Sequence, residues 1–130
     1  MVTGAVVVEN GLGCFGGEMS NSVVIHVDDP AQAPVALRNV ANLLDDLGDK
    51  GVQVEVVVNG LGLSVLTKGS PVIDSVESLR GRGVALLACR NSMEAAGIAP
   101  EDLLEGIQVI PAGITHLVQR QHQGWAYVRP

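Results

Sequence analysis

Along most of this chain, short apolar runs alternate with segments of helical spacing. Val23-Val24-Ile25-His26-Val27 is a run interrupted only by a histidine, and it ends in Asp28-Asp29-Pro30. After Pro34, apolar residues recur at Leu37, Val40, Ala41, Leu44 and Leu47, the period of a helix with one buried face. Gly48 and Gly51 provide its stop. Val52 to Val58 predicts a second strand, ending at Asn59-Gly60, and Leu61 to Lys68 a loop or short helical turn. Ser70-Pro71 reads as a helix cap followed by proline at the first helical position, with Val72, Ile73, Val76 and Leu79 as the apolar face. Val84 to Ala88 is a third strand, and a short helix follows from about Arg90 to Ala96. Pro100 to Leu104 is a helical turn and Gln108-Val109-Ile110 a fourth strand. Ile114, Leu117, Val118 and Gln121 mark a last helix, and Trp125 to Arg129 a fifth strand.

Strands alternating with helices at this spacing predict βαβ units around a mainly parallel sheet, an α/β fold. Right-handed crossovers then place helices on both faces. Composition agrees: 47% of the 130 residues are apolar but only 2% aromatic, so the core is aliphatic, as in a parallel sheet covered on both sides. Residues 19–130 read as one domain. Residues 1–18 read as a glycine-rich extension with two explanations. Gly4 to Val8 could add a strand. Alternatively, Gly16-Gly17-Glu18 can be spelled by a purine-rich ribosome-binding site, and translation would then start at Met19.

Charge and targeting signals narrow the function classes. The net charge is −6, and the eight Lys and Arg form no basic patch, which argues against nucleic acid as a partner. No apolar run approaches the roughly 18 residues of a membrane span. The first basic residue is Arg38, so the start lacks the positive charge of a secretory signal. Two cysteines, Cys14 and Cys89, make no disulfide framework, and a reducing cytoplasmic setting is expected.

The chemistry concentrates at the carboxyl ends of the predicted strands, where open α/β sheets bind ligands. Asp28, Asn59 and Cys89 all fall there. In Gly83-Val84-Ala85-Leu86-Leu87-Ala88-Cys89-Arg90-Asn91-Ser92-Met93, an apolar strand reaches a cysteine and polar helix-opening residues follow at once. The free N–H groups of a helix start favour a thiolate, which is the nucleophilic form. Free cysteine is also among the most buried residue types, so a packed, inert Cys89 is the competing reading. Arg90, Asn91 and Ser92 could hold an anionic sulfur, or could be a solvated helix start and its cap. His26 could reach Cys89 across the sheet and activate it, or be a hydrogen-bonded core histidine. Asp28-Asp29 could hold a cation or cap a helix, and Asn59-Gly60-Leu61-Gly62 reads as a tight turn lining the crevice. No metal-ligand spacing is present, so no metal site and no cofactor are expected. A phosphatase loop would need arginine where Ala95 stands, and Asn91 to Glu94 lacks the glycine and second basic residue of a rhodanese-type loop. Cys89-Arg90-Asn91-Ser92 has the Cys-x-x-Ser form of monothiol redox sites. His116 and His122 read as surface or interface residues. Trp125, Tyr127 and Arg129 alternate onto one side of the last strand, as a subunit contact or as packing under a helix.

Several of these segments together resemble the DsrE/DsrF/TusD-like, or YchN-like, family and its small stand-alone members. They are His26-Val27-Asp28-Asp29, Leu37 to Leu44, Val56 to Gly60, Ala88 to Met93, Val109 to Ile114 and Gly124 to Pro130, and the resemblance spans about Ser22 to Pro130. It implies a three-layer α/β/α fold with a five-stranded parallel sheet, assembled as homotrimers or homohexamers. In the sulfur-relay members a cysteine at this strand end accepts sulfane sulfur as a persulfide and passes it to a partner protein, and Cys89 falls on that position. Relay members usually carry an Arg-Gly pair beyond the cysteine, where this chain has Arg90-Asn91-Ser92-Met93-Glu94.

Three functions are therefore open: a sulfur-relay protein or sulfurtransferase using Cys89, with sulfur donor and acceptor proteins; a non-catalytic oligomeric module binding a small ligand in a crevice lined by Asn59, Asn91 and Pro111; and a thiol redox protein. The redox reading becomes a disulfide switch if Cys14 pairs with Cys89. The relay reading requires a sulfur that solvent can reach and that is held as an anion.

Overall fold

The computed structural model describes residues 21–130. The extension, including Cys14, the Gly4–Val8 strand and the Met19 start, lies outside the described residues. The elements run β1 (Asn21–Val27), α1 (Ala33–Leu47), β2 (Val52–Val58), α2 (Ile73–Gly81), β3 (Ala85–Cys89), α3 (Arg90–Ala96), β4 (Gln108–Ile110), α4 (Gly113–His122) and β5 (Ala126–Val128). Three 3-10 turns, Pro30–Gln32, Gly60–Leu66 and Pro100–Asp102, fill connections. The strands form one sheet in the order β4-β3-β2-β1-β5, and every neighbouring pair is parallel. This is the expected α/β architecture.

The order explains the layers. Steps from β1 to β4 all move one way across the sheet, so right-handed crossovers put α1, α2 and α3 on one face. The return from β4 to β5 passes β1 in the opposite direction, which puts α4 on the other face. The cores agree. Val23, Ile25, Val27, Val54, Val56, Val58, Leu86 and Ala88 pack with residues of α1, α2 and α3 in the larger cluster. Val24, Val57 and Leu87 point the other way, onto Leu117 of α4. The second face is thinly covered, since Gly113 and Leu117 are the only buried residues of α4.

Local chemistry sets the ends of the elements. Gly48 closes α1 at φ 87°, with its N–H on the Leu44 carbonyl. Gly62 brings the Gly60–Leu66 turn against the end of β1; a Cβ there would lie 2.8 Å from the Val27 carbonyl oxygen, so only glycine fits. The expected cap at Ser70-Pro71 differs in detail. α2 begins at Ile73 with Val72 at its cap, and the Ser70 hydroxyl instead accepts from the Val72 N–H, in the turn just before the helix. Cys89 is the last residue of β3 and the cap residue of α3, one place later than the expected strand end.

Candidate functional site

Side chains on a strand alternate between faces, so His26, Asn59 and Cys89 share the α4 face at the carboxyl end of the sheet. Cys89 lies at the strand-to-helix junction and is only 5% exposed. It is surrounded by donors. The Gly113 N–H, first in α4, donates to Cys89 Sγ at 3.3 Å. The Ser92 hydroxyl and the backbone N–H groups of Ser92 and Asn91, at the start of α3, also face the sulfur and favour its anion, but only the Gly113 N–H makes a well-formed bond to it. Burial alone pushes the Cys89 thiol up, but these four donors outweigh it and leave the thiol below its ordinary value. The sulfur is thus more covered than open attack requires, while its surroundings shift the balance toward the thiolate.

Ser92, the third residue of α3, belongs to this donor set. Its Oγ accepts from the Gly60 N–H at 2.9 Å, which leaves the hydroxyl proton for the sulfur. Ser92→Ala is expected to cost about 0.5 kcal/mol of stability, because it removes the bond from the Gly60 N–H, which lies where water can replace it. It is also expected to raise the pH at which Cys89 ionises. Chemical denaturation and the pH dependence of thiol alkylation measure the two effects. Arg90 is exposed and contributes no bond to the sulfur, so the solvated reading holds for it.

His26 does not pair with Cys89. Its Nδ1 lies 2.7 Å from the Tyr127 hydroxyl and its Nε2 lies 3.0 Å from Asn59 Oδ1. The hydrogen-bond network assigns Nε2 as the protonated nitrogen, because an amide oxygen can only accept. Nδ1 then accepts from the tyrosine. Asn59 is thereby oriented with its NH2 group toward Gly113. A Cβ on Gly113 would lie 3.4 Å from Asn59 Nδ2 and 3.5 Å from Cys89 Cβ, so the start of α4 packs closely against both.

The two aspartates divide their roles. Asp28 pairs with Arg129 at 2.8 Å, and that guanidinium holds its carboxyl below the ordinary value. Asp29 is the cap: its Oδ1 accepts from the Ala31 N–H while Gln32 Oε1 accepts from the Asp28 and Asp29 N–H groups. Gln32 Nε2 donates to the Pro130 carbonyl, which ties the chain end to the same rim. Among the described residues no group of three His, Cys, Asp or Glu side chains could hold a metal ion. No described helix is long and apolar enough to cross a membrane.

The expected crevice is divided. Pro111 lies with Ile110, Ala112, Thr115, His116 and Gln119 around a hollow on the flank of α4. A second hollow is walled by Gly60, Leu61, Ser92, Ala95 and Ala96, and it shares Ser92 with the sulfur's donors. Asn91 is exposed and reaches the site through its backbone. The terminal strand also resolves: Arg120 stacks over Trp125, 4.4 Å from its ring centroid, Tyr127 holds His26, and Arg129 holds Asp28.

One cluster was not expected. Glu55, in the centre of β2, is buried and takes three bonds from α4. His116 Nε2 and Arg120 Nε lie 2.7 and 2.9 Å from Oε1, and Arg120 Nη2 lies 2.7 Å from Oε2. His116 is therefore not a free surface residue, whereas His122 is exposed. A lone carboxylate in Val-Gln-Val-Glu-Val-Val-Val, and the His116–Arg120 pair four residues apart, were the signals that could have found it.

The fold is shared with known structures. The protein MTH1491 of Methanobacterium thermoautotrophicum, described as of unknown function, superposes with a TM-score of 0.80 at 40% identity, over 85% of this chain and 99% of that one. The ychN protein of E. coli gives a TM-score of 0.72 at 14% identity, covering 86% and 100%. BT1422 of Bacteroides thetaiotaomicron, a conserved protein of unknown function, gives 0.68 at 18%, covering 88% and 100%. Among curated proteins none is similar to this chain at a significant level. The family model of the DsrE/DsrF-like family matches residues 22–130, and the chain belongs to that family.

Proposed function

We propose that this protein carries sulfane sulfur as a persulfide on Cys89, as a sulfur-relay protein or sulfurtransferase. The observation that carries the reading is the Gly113 N–H bond to Cys89 Sγ at the strand-to-helix junction, where the Ser92 hydroxyl and the N–H groups of Ser92 and Asn91 also favour the thiolate. The Cys89 thiolate attacks the outer sulfur of a donor persulfide. The new Sγ–S bond forms as the donor's S–S bond breaks, and the donor leaves as a thiolate. An acceptor thiolate then attacks the outer sulfur and Cys89 leaves as the thiolate. Sulfur changes hands in both steps with no net oxidation, so neither step needs a cofactor. The donor set acts twice, favouring the attacking anion and making Cys89 a good leaving group. In this reading the Asn59 NH2 group, on the same sheet face and turned toward Gly113, bonds the outer sulfur. Because so little of Cys89 is exposed, a small or slender sulfur donor suits the site better than a broad one.

The low exposure of Cys89 also favours a second reading, a non-catalytic small-ligand module. The redox reading gains no resolving partner among the described residues, where Cys89 is the only cysteine. Intact mass after exposure to a persulfide donor separates the three. The relay reading expects the mass of one sulfur atom on the wild type, none on Cys89→Ser, and its loss to an added thiol acceptor. No gain on the wild type supports the module, and reversible oxidation without sulfur gain supports redox.

The same reading includes a homotrimer or homohexamer in a reducing cytoplasmic setting, working with separate sulfur donor and acceptor proteins. Ile114 and Val118, 66% and 46% exposed on α4, support self-association there. Ile114→Lys is expected to lower the assembly state in sedimentation, and an unchanged state would exclude this face.

A further inference from the structure

We propose that Glu55 is a positioning residue for Cys89: by binding Arg120 and His116 it seats α4 and so holds the Gly113 N–H on the sulfur. The inference rests on the reading that Cys89 is the reacting atom. Gly113, His116, Leu117 and Arg120 are spaced i, i+3, i+4 and i+7, so they form a single stripe of α4. That stripe meets the sheet at both ends. Gly113 touches Cys89 at the carboxyl end of β3, and Arg120, about 10 Å further along the helix, meets Glu55.

Little else fixes the helix. Leu117 is its only buried large side chain. The carboxylate, by contrast, accepts three charge-assisted or ring N–H bonds, two of them in a forked pair from Arg120. Arg120 is itself gripped from outside: Trp125 lies under its guanidinium, and Gln123 Oε1 accepts from Nη1 at 2.8 Å. A buried carboxylate in the central strands is costly when left alone, so α4 cannot lift or rotate without exposing that cost. A 3.3 Å contact to sulfur is sensitive to such movement. Glu55 does not touch the sulfur and acts only through the helix.

The test compares the pH dependence of Cys89 alkylation in a Cys14→Ser background. Glu55→Gln keeps the shape but weakens the pairing. It is expected to slow alkylation at neutral pH about threefold and to move the midpoint of the profile upward. Val76→Ala, in the core under α2, controls for stability loss alone and is expected to leave the midpoint in place. A folded Glu55→Gln protein with the wild-type midpoint would overturn the proposal. Should that variant not fold, His116→Ala, which removes one of the three bonds, decides in the same way: a raised midpoint supports the clamp and an unchanged one overturns it. The persulfide reading fails separately. A wild type that takes no sulfur while Glu55→Gln still shifts the midpoint sinks the relay and leaves the clamp; sulfur uptake with no midpoint shift does the reverse.

Discussion

Replacing Arg120 with alanine is expected to destabilise the protein by about 3 kcal/mol at neutral pH, because it leaves the buried Glu55 carboxylate with His116 as its one remaining side-chain partner. The size of the effect reflects an uncompensated charge more than the intrinsic worth of the pair. Its pH dependence has a definite sign. Burial alone pushes the Glu55 carboxyl up, and the bonds from Arg120 and His116 outweigh it, so in the folded protein the carboxyl lies below its ordinary value. A carboxylate depressed in this way contributes stability that is complete above its unfolded pKa, about 4.3, and is lost as pH falls through the lower folded value. The gap between wild type and Arg120→Ala should therefore be widest at neutral pH and shrink in acid. Urea titrations at neutral pH and at successively lower pH values measure it. A gap that stays constant or widens in acid would show that Arg120 acts by packing on Trp125 rather than through Glu55.

Gly113→Pro should raise the midpoint of Cys89 ionisation by about one pH unit relative to Gly113→Ala, since it deletes one hydrogen bond to a charged group. The backbone suits proline, although its Cδ takes the place of the N–H proton and so also pushes aside Cys89 Sγ, 3.3 Å from the nitrogen. Gly113 is the first residue of α4, where proline's fixed φ is tolerated, and Ala112 before it is extended at φ −150° and ψ 125°, as the residue before a proline prefers. Alanine is the proper reference. Both substitutions place a Cβ about 3.4 Å from Asn59 and 3.5 Å from Cys89 Cβ, but only proline replaces the N–H with a ring carbon against the sulfur. Both should also crowd Asn59 and Cys89, so sulfur uptake should fall in each, and further in the proline variant. Alkylation profiles of the two proteins decide it; coincident midpoints would remove Gly113 from the donor set.

What the chain reveals unaided follows from how local the cause is. The strands were legible because aliphatic runs such as Val54 to Val58 suit a sheet buried on both faces. The junction at Cys89 was legible because Ala-Cys-Arg-Asn changes from strand to helix within four residues. The sulfur's surroundings were only half legible. Asn91 and Ser92 are neighbours in sequence, but Gly113 comes from 24 residues away and arrives only because the return to β5 carries α4 across the second face. The direct His26–Cys89 pair failed for a similar reason. Tyr127, brought alongside by the β1–β5 pairing, and Asn59 at the end of β2 take both nitrogens of the ring. Glu55 was missed because a lone carboxylate in a strand pattern reads as a solvent-facing residue until its partners on α4 are placed against it.

Titration of Cys89 itself, followed by alkylation rate against pH in the Cys14→Ser protein, tests most directly the claim on which this account stands. Held by the Gly113, Ser92 and Asn91 donors, the sulfur should ionise with a midpoint below the roughly 8.5 of a free cysteine. A midpoint at or above that value would mean that burial wins over the donors, and would contradict the assignment of Cys89 as a sulfur-carrying thiolate.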